Sequence, residues 1–413
     1  MRKSLLALTA LIVATALAGA LVAAGRSSGG AASKVNLTLA LEASGDTALG
    51  YQKWIDGFNR THPNIHVNLQ TIASGDAYNQ AILGQVAGGV PPDVFLLDGG
   101  LRTQQFAHAR ALVPLDGLAA RAKLKLANFK PALLSSLRVG GKLYGIPKDF
   151  SSTGLFYNKA LLQKAGVTPP RTWGQFRADA KALTGSGVYG LGMYPQINYF
   201  LAWIVAAGGN FVTANGIRNF YNPRHVRAVA FLVSLFDRDK SAASPQMTGS
   251  GWDGEMLGTQ KAAMVFGGTW IPGAIKGSNP DVNVGAVLMP PNQQRGSVLY
   301  ATGWVVSSKS KYPQQAMQLI SWMASDRSLL SGYAGGFISI PPTASALKKL
   351  EAQRPDDATL KVAEIAAERG IPFGWLDPKF VDAYNNMLAD LISNPSKSPV
   401  QAIAALGKQF GLK

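Results

Sequence analysis

Segments with the hydrophobic period of a strand alternate with segments that have the period of a helix from residue 35 onward. Residues 35–41 alternate between apolar and polar side chains, and residues 51–58 carry apolar side chains at i, i+3, i+4 and i+7. The same pair of patterns returns at 65–69 and 78–86, and a mostly apolar run at 93–97 follows two prolines. A strand covered on both faces has such a run. This order of elements predicts an α/β fold with a parallel sheet.

The second part of the chain begins with extended segments and then returns to the same rhythm. Residues 143–147 and 154–157 have extended patterns on either side of Asp149. Thr172 with Gln175 three residues later forms a capping box, which predicts the start of a helix. We therefore predict two α/β halves joined by extended crossings. Further strand-like segments lie at 262–266 and 282–289, and further helix-like segments at 226–233, 313–324 and 379–392.

Length and composition exclude several classes of protein. A chain of 413 residues has room for two or three domains and a large core. It contains no Cys, which excludes disulfide scaffolds, cysteine nucleophiles and Cys-ligated metals, and its four His offer little for another metal site. The net charge of +17 is spread over scattered Lys and Arg, and only 15% of residues are charged. We interpret this excess as a general surface property rather than as a nucleic-acid interface.

The first 34 residues have the features of a targeting segment. Arg2 and Lys3 precede an apolar run, Leu5–Ala24, and small residues suitable for cleavage end it. We predict a signal peptide over 1–24 and a linker over 25–34. The run is also long enough to remain as an uncleaved membrane anchor, which is the competing interpretation. The longest later apolar run, Tyr199–Gly209, is too short to cross a bilayer.

Motifs for nucleotide or metal chemistry are weak in this sequence. The G-x-G-x-x-G match at 185–190 follows a helical pattern and precedes a strand, which is the reverse of the order that binds a pyrophosphate. No phosphate-binding loop of the G-x-x-x-x-G-K-[ST] type occurs. Paired carboxylates for glycoside hydrolysis remain open, because such pairs meet only in the fold. The candidates are Asp98, Asp149, Asp253 and Glu255.

Several segments together resemble the extracellular solute-binding proteins of ABC importers, family 1, which includes proteins similar to maltose-binding protein. Their order and spacing across nearly the whole chain carry the resemblance. The segments are residues 54–59 (WIDGFN), 62–67 (HPNIHV), 87–94 (AGGVPPDV), 141–147 (GKLYGIP), 155–159 (LFYNK), 165–167 (AGV), 169–173 (PPRTW), 261–264 (KAAM) and 302–304 (TGW).

The resemblance implies a two-lobed periplasmic-binding-protein fold of type II. Each lobe would be a sheet flanked by helices, and a ligand cleft would lie between lobes that the chain joins by three crossings. Mapped onto this sequence, the N-terminal lobe would comprise residues 35–147 plus 303–337, and the C-terminal lobe 148–302 plus 338–413.

The resemblance also implies ligand contacts at the strand ends that face the cleft. Aromatic rings would cover the apolar faces of a sugar, while carboxylates and Arg would bind its hydroxyl groups. Many members of the family have an Arg-Pro pair where this chain has Arg369 followed by Gly370. This difference weakens the implied ligand roles of Arg369 and of the nearby Trp375. The implied ligand residues are Glu42, Ser44, Asp98, Asp149, Tyr194, Trp270, Gly303, Trp304, Phe337, Arg369 and Trp375.

The resemblance implies a binding protein rather than an enzyme, with no catalytic residue, metal or cofactor. It would take up a mono- or oligosaccharide by hinge closure and deliver it to a membrane permease. The alternatives are a binder of an anionic solute, such as a uronate oligomer or a glycerophosphodiester, and a polysaccharide-cleaving enzyme that uses Asp98 and Asp149. We expect an exported monomer, periplasmic or at the cell surface, that does not bind nucleic acid. Because no Cys follows the apolar run, a lipid anchor of that chemistry is excluded.

Overall fold

The computed structural model describes residues 34–43, 45–72, 76–213, 216–336 and 338–412. The predicted signal peptide and nearly all of the predicted linker lie outside this part of the chain. The strands are β1 (Val35–Glu42), β2 (Ile65–Ile72), β3 (Val94–Asp98), β4 (Arg138–Val139), β5 (Lys142–Leu143), β6 (Gly145–Asn158), β7 (Tyr189–Gly192), β8 (Val212–Thr213), β9 (Gly216–Ile217), β10 (Ala242–Ala243), β11 (Ala262–Gly268), β12 (Val284–Val287), β13 (Val298–Val306) and β14 (Ile371–Pro372).

Helices follow most of the strands and cover the sheet. Three 3₁₀ turns add to them, at Leu126–Asn128, Gln246–Thr248 and Phe373–Trp375. The helices are α1 (Gly45–Thr61), α2 (Asp76–Ala87), α3 (Leu101–His108), α4 (Asp116–Arg121), α5 (Pro131–Ser136), α6 (Lys159–Lys164), α7 (Trp173–Ala182), α8 (Ile197–Ala206), α9 (Pro223–Asp237), α10 (Asp253–Gly258), α11 (Ile271–Ser278), α12 (Pro313–Met323), α13 (Asp326–Ala334), α14 (Ala344–Gln353), α15 (Ala358–Arg369), α16 (Pro378–Ser393) and α17 (Pro399–Gln409).

The amino-terminal rhythm of strands and helices is confirmed. β1 pairs in parallel with β2 from Val35 opposite Ile65, and it pairs in parallel with β3 on its other side. The apolar face predicted for residues 51–58 is the buried face of α1. The capping box also forms, because Thr172 Oγ1 accepts a hydrogen bond from the backbone N–H of Gln175 at the start of α7.

Two long strands run through the middle of the main sheet, whose strand order is β10-β7-β11-β6-β13-β3-β1-β2. The two extended segments predicted around Asp149 form one continuous strand, β6, which is buried along almost its whole length. β13 lies antiparallel to both β3 and β6, and β6 lies antiparallel to β11. The prediction of a parallel sheet is therefore wrong for these central pairs. It holds for the outer strands, where helices connect parallel neighbours.

Hydrophobic side chains gather in separate cores on either side of the crossing strands. The core of the N-terminal lobe draws on residues 37–146 and 304–338. The largest core of the C-terminal lobe draws on residues 155–298 and 376–406, and a smaller cluster lies beside it around β11. A further cluster at the crossings includes Phe150, Leu299 and Ile340. The chain is thus a two-lobed α/β protein. No helix in its described part combines the length and hydrophobicity needed to cross a membrane.

Candidate functional site

A cavity of about 300 Å³ lies where the two lobes face each other beside β13. One wall comes from the end of β3 and from α3, which belong to the N-terminal lobe, and the opposite wall comes from residues 372–378 of the C-terminal lobe. Residues 299–301, near the start of β13, form its floor. Ligands of open α/β sheets bind at such strand ends. The cavity is lined by Asp98, Gly99, Leu101, Arg102, Gln105, Ser136, Leu299, Tyr300, Ala301, Pro372, Phe373, Gly374, Leu376 and Pro378.

The N-terminal wall carries an acidic and a basic group. Asp98 ends β3 and its carboxylate lies 3.8 Å from the guanidinium of Arg102 on α3. The Asp98 side chain is 58% exposed to the cleft. Desolvation by the surrounding protein raises the pKa of Asp98, while Arg102 opposes that shift. Both residues also line a smaller recess of about 130 Å³ with Glu42, at the end of β1. The structure therefore brings the predicted residues Glu42 and Asp98 together.

The two lobes touch through glycine backbones at the edge of this cavity. Gly100 has φ of 89°, a conformation that favours glycine. A Cβ atom on Gly100 would lie 2.4 Å from the carbonyl oxygen of Gly374 in the opposite wall. A Cβ on Gly374 would lie 2.0 Å from the carbonyl oxygen of Gly99. Only residues without a side chain allow the lobes to approach this closely.

Aromatic rings line the C-terminal side of the cleft. The ring centroid of Tyr300 lies 5.9 Å from that of Trp270 and 5.8 Å from that of Phe373. Trp270 follows β11 and is 38% exposed, although Gly268 lies beneath its ring. Tyr300 is held by a long hydrogen bond from its hydroxyl group to the Asn198 carbonyl, at 3.4 Å. This arrangement is consistent with the predicted role of Trp270 as a ligand platform, which remains a prediction.

Tyr194 and Asp253 form a second group of polar side chains in the C-terminal lobe. The hydroxyl of Tyr194 donates to the Gly251 carbonyl, at 3.0 Å, and the ring packs 5.6 Å from that of Tyr199. Asp253, at the start of α10, is 2% exposed, and burial raises its pKa to about 6. Its Oδ1 accepts from the Gly254 N–H. Because β7 and β11 are parallel neighbours, the residues after them, including Tyr194 and Trp270, leave the same edge of the sheet.

Asp149 is placed in the hinge instead of at the cleft. Its side chain is 9% exposed, and it accepts hydrogen bonds from Thr302 Oγ1 at 2.7 Å, from the Ser339 N–H at 3.0 Å and from Lys148 Nζ at 2.6 Å. These donors come from all three crossings of the chain. Burial lowers the pKa of Lys148, but Asp149 and Tyr51 outweigh that effect and raise it. The prediction that Asp149 binds ligand is therefore wrong, because its oxygen atoms are already engaged.

Trp304 and Gly303 also need correction. The indole of Trp304 is 1% exposed and belongs to the hydrophobic core of the N-terminal lobe. It lies on β13 between Leu96 of β3 and Ile146 of β6. Gly303 is buried, and a Cβ there would lie 2.6 Å from the Leu137 side chain. Neither residue can contact a solute in this structure, so the predicted Trp304 platform is wrong.

Four predicted site residues are only partly covered or not covered by the structure. Ser44 and Phe337 lie outside the described residues. Arg369 is the last residue of α15, and Trp375 is the last residue of the third 3₁₀ turn; only the backbone of these two residues is described. Their predicted ligand roles stay predictions.

The sequence reasoning missed several residues that line the cleft. Arg102 follows Asp98 by one helical turn, a spacing that could have indicated the pair. Tyr300 lies two residues before the TGW segment and could have been included with it. Gln105 and Phe373 carry no such signal, because their place in the cleft depends on contact between distant parts of the chain.

The cleft is suited to binding, and it does not bring together Asp98 and Asp149, the two carboxylates considered for cleavage of a polysaccharide. Asp98 is accessible, but Asp149 is buried and fully engaged. Within the described residues, no group of acidic and imidazole side chains is placed to hold a metal ion. Exposed aromatic faces combined with polar rims are what a polyhydroxylated solute needs.

The sequence matches the model of a known protein family. The family model described as "bacterial extracellular solute-binding protein" matches residues 44–328. The chain belongs to this family. Its curated relatives include the multiple sugar-binding protein of Streptococcus mutans, which is 23% identical over 304 residues that cover 68% of this chain and 69% of the relative.

Solved structures of solute-binding proteins share the fold at low identity. An ABC substrate-binding protein from Listeria monocytogenes in complex with cycloalternan superposes with a TM-score of 0.79, at 23% identity, over 92% of this chain and 100% of that one. UgpB from Mycobacterium tuberculosis in complex with glycerophosphocholine gives a TM-score of 0.76, at 19% identity, over 90% and 97%. These similarities establish the type II architecture of this solute-binding protein.

Proposed function

We propose that this protein is the extracytoplasmic substrate-binding component of an ABC importer and that it binds a mono- or oligosaccharide. The observation that carries the proposal is the cleft between the lobes, with Asp98 and Arg102 on one wall and Tyr300 and Phe373 on the other. Trp270 stands beside it as an exposed ring. Family membership and the curated sugar-binding relatives support the same assignment.

The residue types of the cleft are suited to a sugar. The carbon-bound hydrogens of a pyranose form apolar faces that pack against rings such as Trp270 and Tyr300. Its hydroxyl groups donate to carboxylates such as Asp98 and accept from Arg102 and Gln105. Such contacts bind without a covalent step, so we expect the solute to be recovered unchanged after incubation with the protein.

Closure of the lobes would couple binding to transport. The solute would bind one lobe and favour the closed form by adding contacts to the other, which shifts an equilibrium between open and closed states. The proposed lobes are residues 35–147 plus 303–337 and residues 148–302 plus 338–413, with Asp149 tying the crossings between them. The closed form would then deliver the solute to a permease. We propose an exported monomer that acts in the periplasm or at the cell surface.

A thermal-shift screen over a sugar library, followed by calorimetry, tests the assignment. Trp270→Ala should weaken the binding of the best sugar about tenfold, since it removes one stacked ring. Tyr312→Ala is the matched control, because Tyr312 is also 38% exposed but lies in the N-terminal lobe at the start of α12. Equal affinities for the two variants, or no sugar that raises the unfolding temperature, would refute the proposal.

An anionic solute is the second candidate, and Arg102 in the cleft is the observation that favours it. The structurally similar UgpB complex contains glycerophosphocholine, a phosphodiester. Affinity for such a solute would fall with added salt and with Arg102→Gln, because the charge attraction is screened or removed. Tight binding of a neutral sugar that is insensitive to salt would exclude this candidate.

A further inference from the structure

A basic cavity lies on the outer face of the N-terminal lobe, between α1 and α13. Its volume is about 400 Å³, and its walls carry Lys53, Arg60 and Arg327. Within the described residues, no carboxylate lines it, and none lies within 4.0 Å of these three cationic groups. The cavity therefore concentrates positive charge that the rest of the lobe does not neutralise.

The geometry of the two helices holds these groups around one hollow. Lys53, Gly57 and Arg60 follow one another at i, i+4 and i+7, on one face of α1. Gly57 leaves space above its Cα, and both the Arg60 guanidinium and the Trp322 ring come within 3.8 Å of the position of a Cβ there. The rings of Trp54 and Trp322 pack 5.5 Å apart in the wall. The cavity thus combines an aromatic wall with cationic side chains.

Hydroxyl groups and a helix start complete the lining on the α13 side. Ser325 caps α13 by accepting from the Ser328 N–H, and both residues line the cavity. The nearest acidic residue of that helix, Asp326, is engaged with Lys349 and Ser345. Cationic side chains, hydroxyl groups and the positive end of a helix are the groups that bind phosphate oxygens.

The chain enters the lobe at the same end of α1 that carries Arg60. The Val35 N–H donates to the Asn64 carbonyl, and β1 begins opposite Ile65, only a few residues after α1 ends. The 34 residues before Val35 contain the basic and apolar run that predicts membrane targeting. A lobe tethered by that run would lie close to the membrane surface.

We propose that the cavity between α1 and α13 is a phosphate-binding site that docks the N-terminal lobe on the phosphate groups of anionic membrane lipids. Three basic groups without an acidic partner should raise the partition coefficient of the protein onto an anionic bilayer about a hundredfold. Each Lys or Arg near the surface contributes a similar favourable free energy of binding, and the three contributions add. The site holds the binding protein close to the permease without using the solute cleft.

Full-length protein and vesicles test the assignment. The pocket variant is Lys53→Gln/Arg60→Gln/Arg327→Gln. The control, Lys164→Gln/Lys276→Gln/Lys408→Gln, makes the same change in net charge in the last turns of three C-terminal-lobe helices. Co-sedimentation is measured with phosphatidylcholine vesicles and with vesicles that also contain phosphatidylglycerol. Subtracting the neutral-vesicle value removes the contribution of the apolar amino-terminal run, which all the proteins share.

We expect the pocket variant to lose about a hundredfold of the binding that phosphatidylglycerol adds, while the control keeps most of it. Equal losses in both variants would overturn the proposal in favour of diffuse charge. A calorimetric arm uses glycerol 1-phosphate in solution. Micromolar binding of that probe, without a gain on anionic vesicles, would assign the site to a free phosphate ester and overturn the membrane role. Unchanged unfolding temperatures and solute binding in both variants show that the lobes stay folded.

Discussion

Acidification should destabilise this protein through a histidine buried in the C-terminal lobe. The ring of His225 is 0% exposed; its Nδ1 lies 2.7 Å from the Phe220 carbonyl oxygen and its Nε2 lies 2.6 Å from the Tyr384 hydroxyl. The carbonyl can only accept, so Nδ1 carries the proton and Nε2 accepts from Tyr384. A second proton would remove that acceptor. Desolvation accordingly lowers the pKa of His225 to about 4.

The magnitude follows from the difference between the folded and unfolded pKa values. The unfolded imidazole titrates near 6.5 and the folded one near 4, so the unfolded state binds more protons between these values. The stability is fully present above pH 6.5 and is lost as the pH falls towards 4. Between pH 7.5 and pH 5 the free energy of unfolding should fall by about 2 kcal/mol from this group.

Asp253 acts with the opposite sign and has to be separated from this effect. Its folded pKa of about 6 lies above that of an unfolded Asp, so its contribution is present at low pH and is lost as the pH rises through 6. Over the same interval it offsets about 1.4 kcal/mol of the loss. The free energy of unfolding of the unaltered protein therefore changes too little with pH to reveal the contribution of His225.

Urea unfolding of a variant series isolates the histidine. His225→Gln keeps a neutral polar side chain, so the stability difference between the unaltered protein and this variant should shrink by about 2 kcal/mol from pH 7.5 to pH 5. His108→Gln, which replaces an exposed histidine, should follow the unaltered protein at every pH. Parallel pH profiles for the unaltered protein and His225→Gln would refute the reasoning.

Two further substitutions test the hinge and the contact between the lobes. Asp149→Asn should lower the free energy of unfolding in urea by about 3–5 kcal/mol, because the buried ammonium of Lys148 loses its only carboxylate partner among the described residues; a loss below about 1 kcal/mol would contradict this. Gly374→Ala should weaken solute binding roughly tenfold and enlarge the ligand-bound form in small-angle scattering, since its Cβ would meet the Gly99 carbonyl at 2.0 Å. Gly273→Ala, with open space around its Cβ, should change neither quantity.

Local sequence patterns were sufficient for several elements and for the α/β class, whereas the two-lobed type II fold was implied by the family resemblance. The predicted strand at residues 35–41, the apolar face of α1 and the Thr172 cap all depend on residues within a few positions of one another. Their physical causes, periodic burial and backbone capping, are therefore readable from the chain. The resemblance, and not a local pattern, indicated Trp270, which follows a buried strand and is 38% exposed; its ligand role stays a prediction.

The tertiary structure alone decided which side chains face the cleft. Trp304 and Tyr300 lie on the same strand, yet β3 and β6 enclose one ring while the other lies in the cleft. From the sequence, Asp149 was interpreted as a carboxylate in a loop at the cleft. In the structure its oxygen atoms accept hydrogen bonds from Thr302 and Ser339, which belong to the two later crossings. The physical reason is that burial and hydrogen bonding at the crossings depend on partners that lie up to 190 residues away in the chain. No local period encodes such contacts.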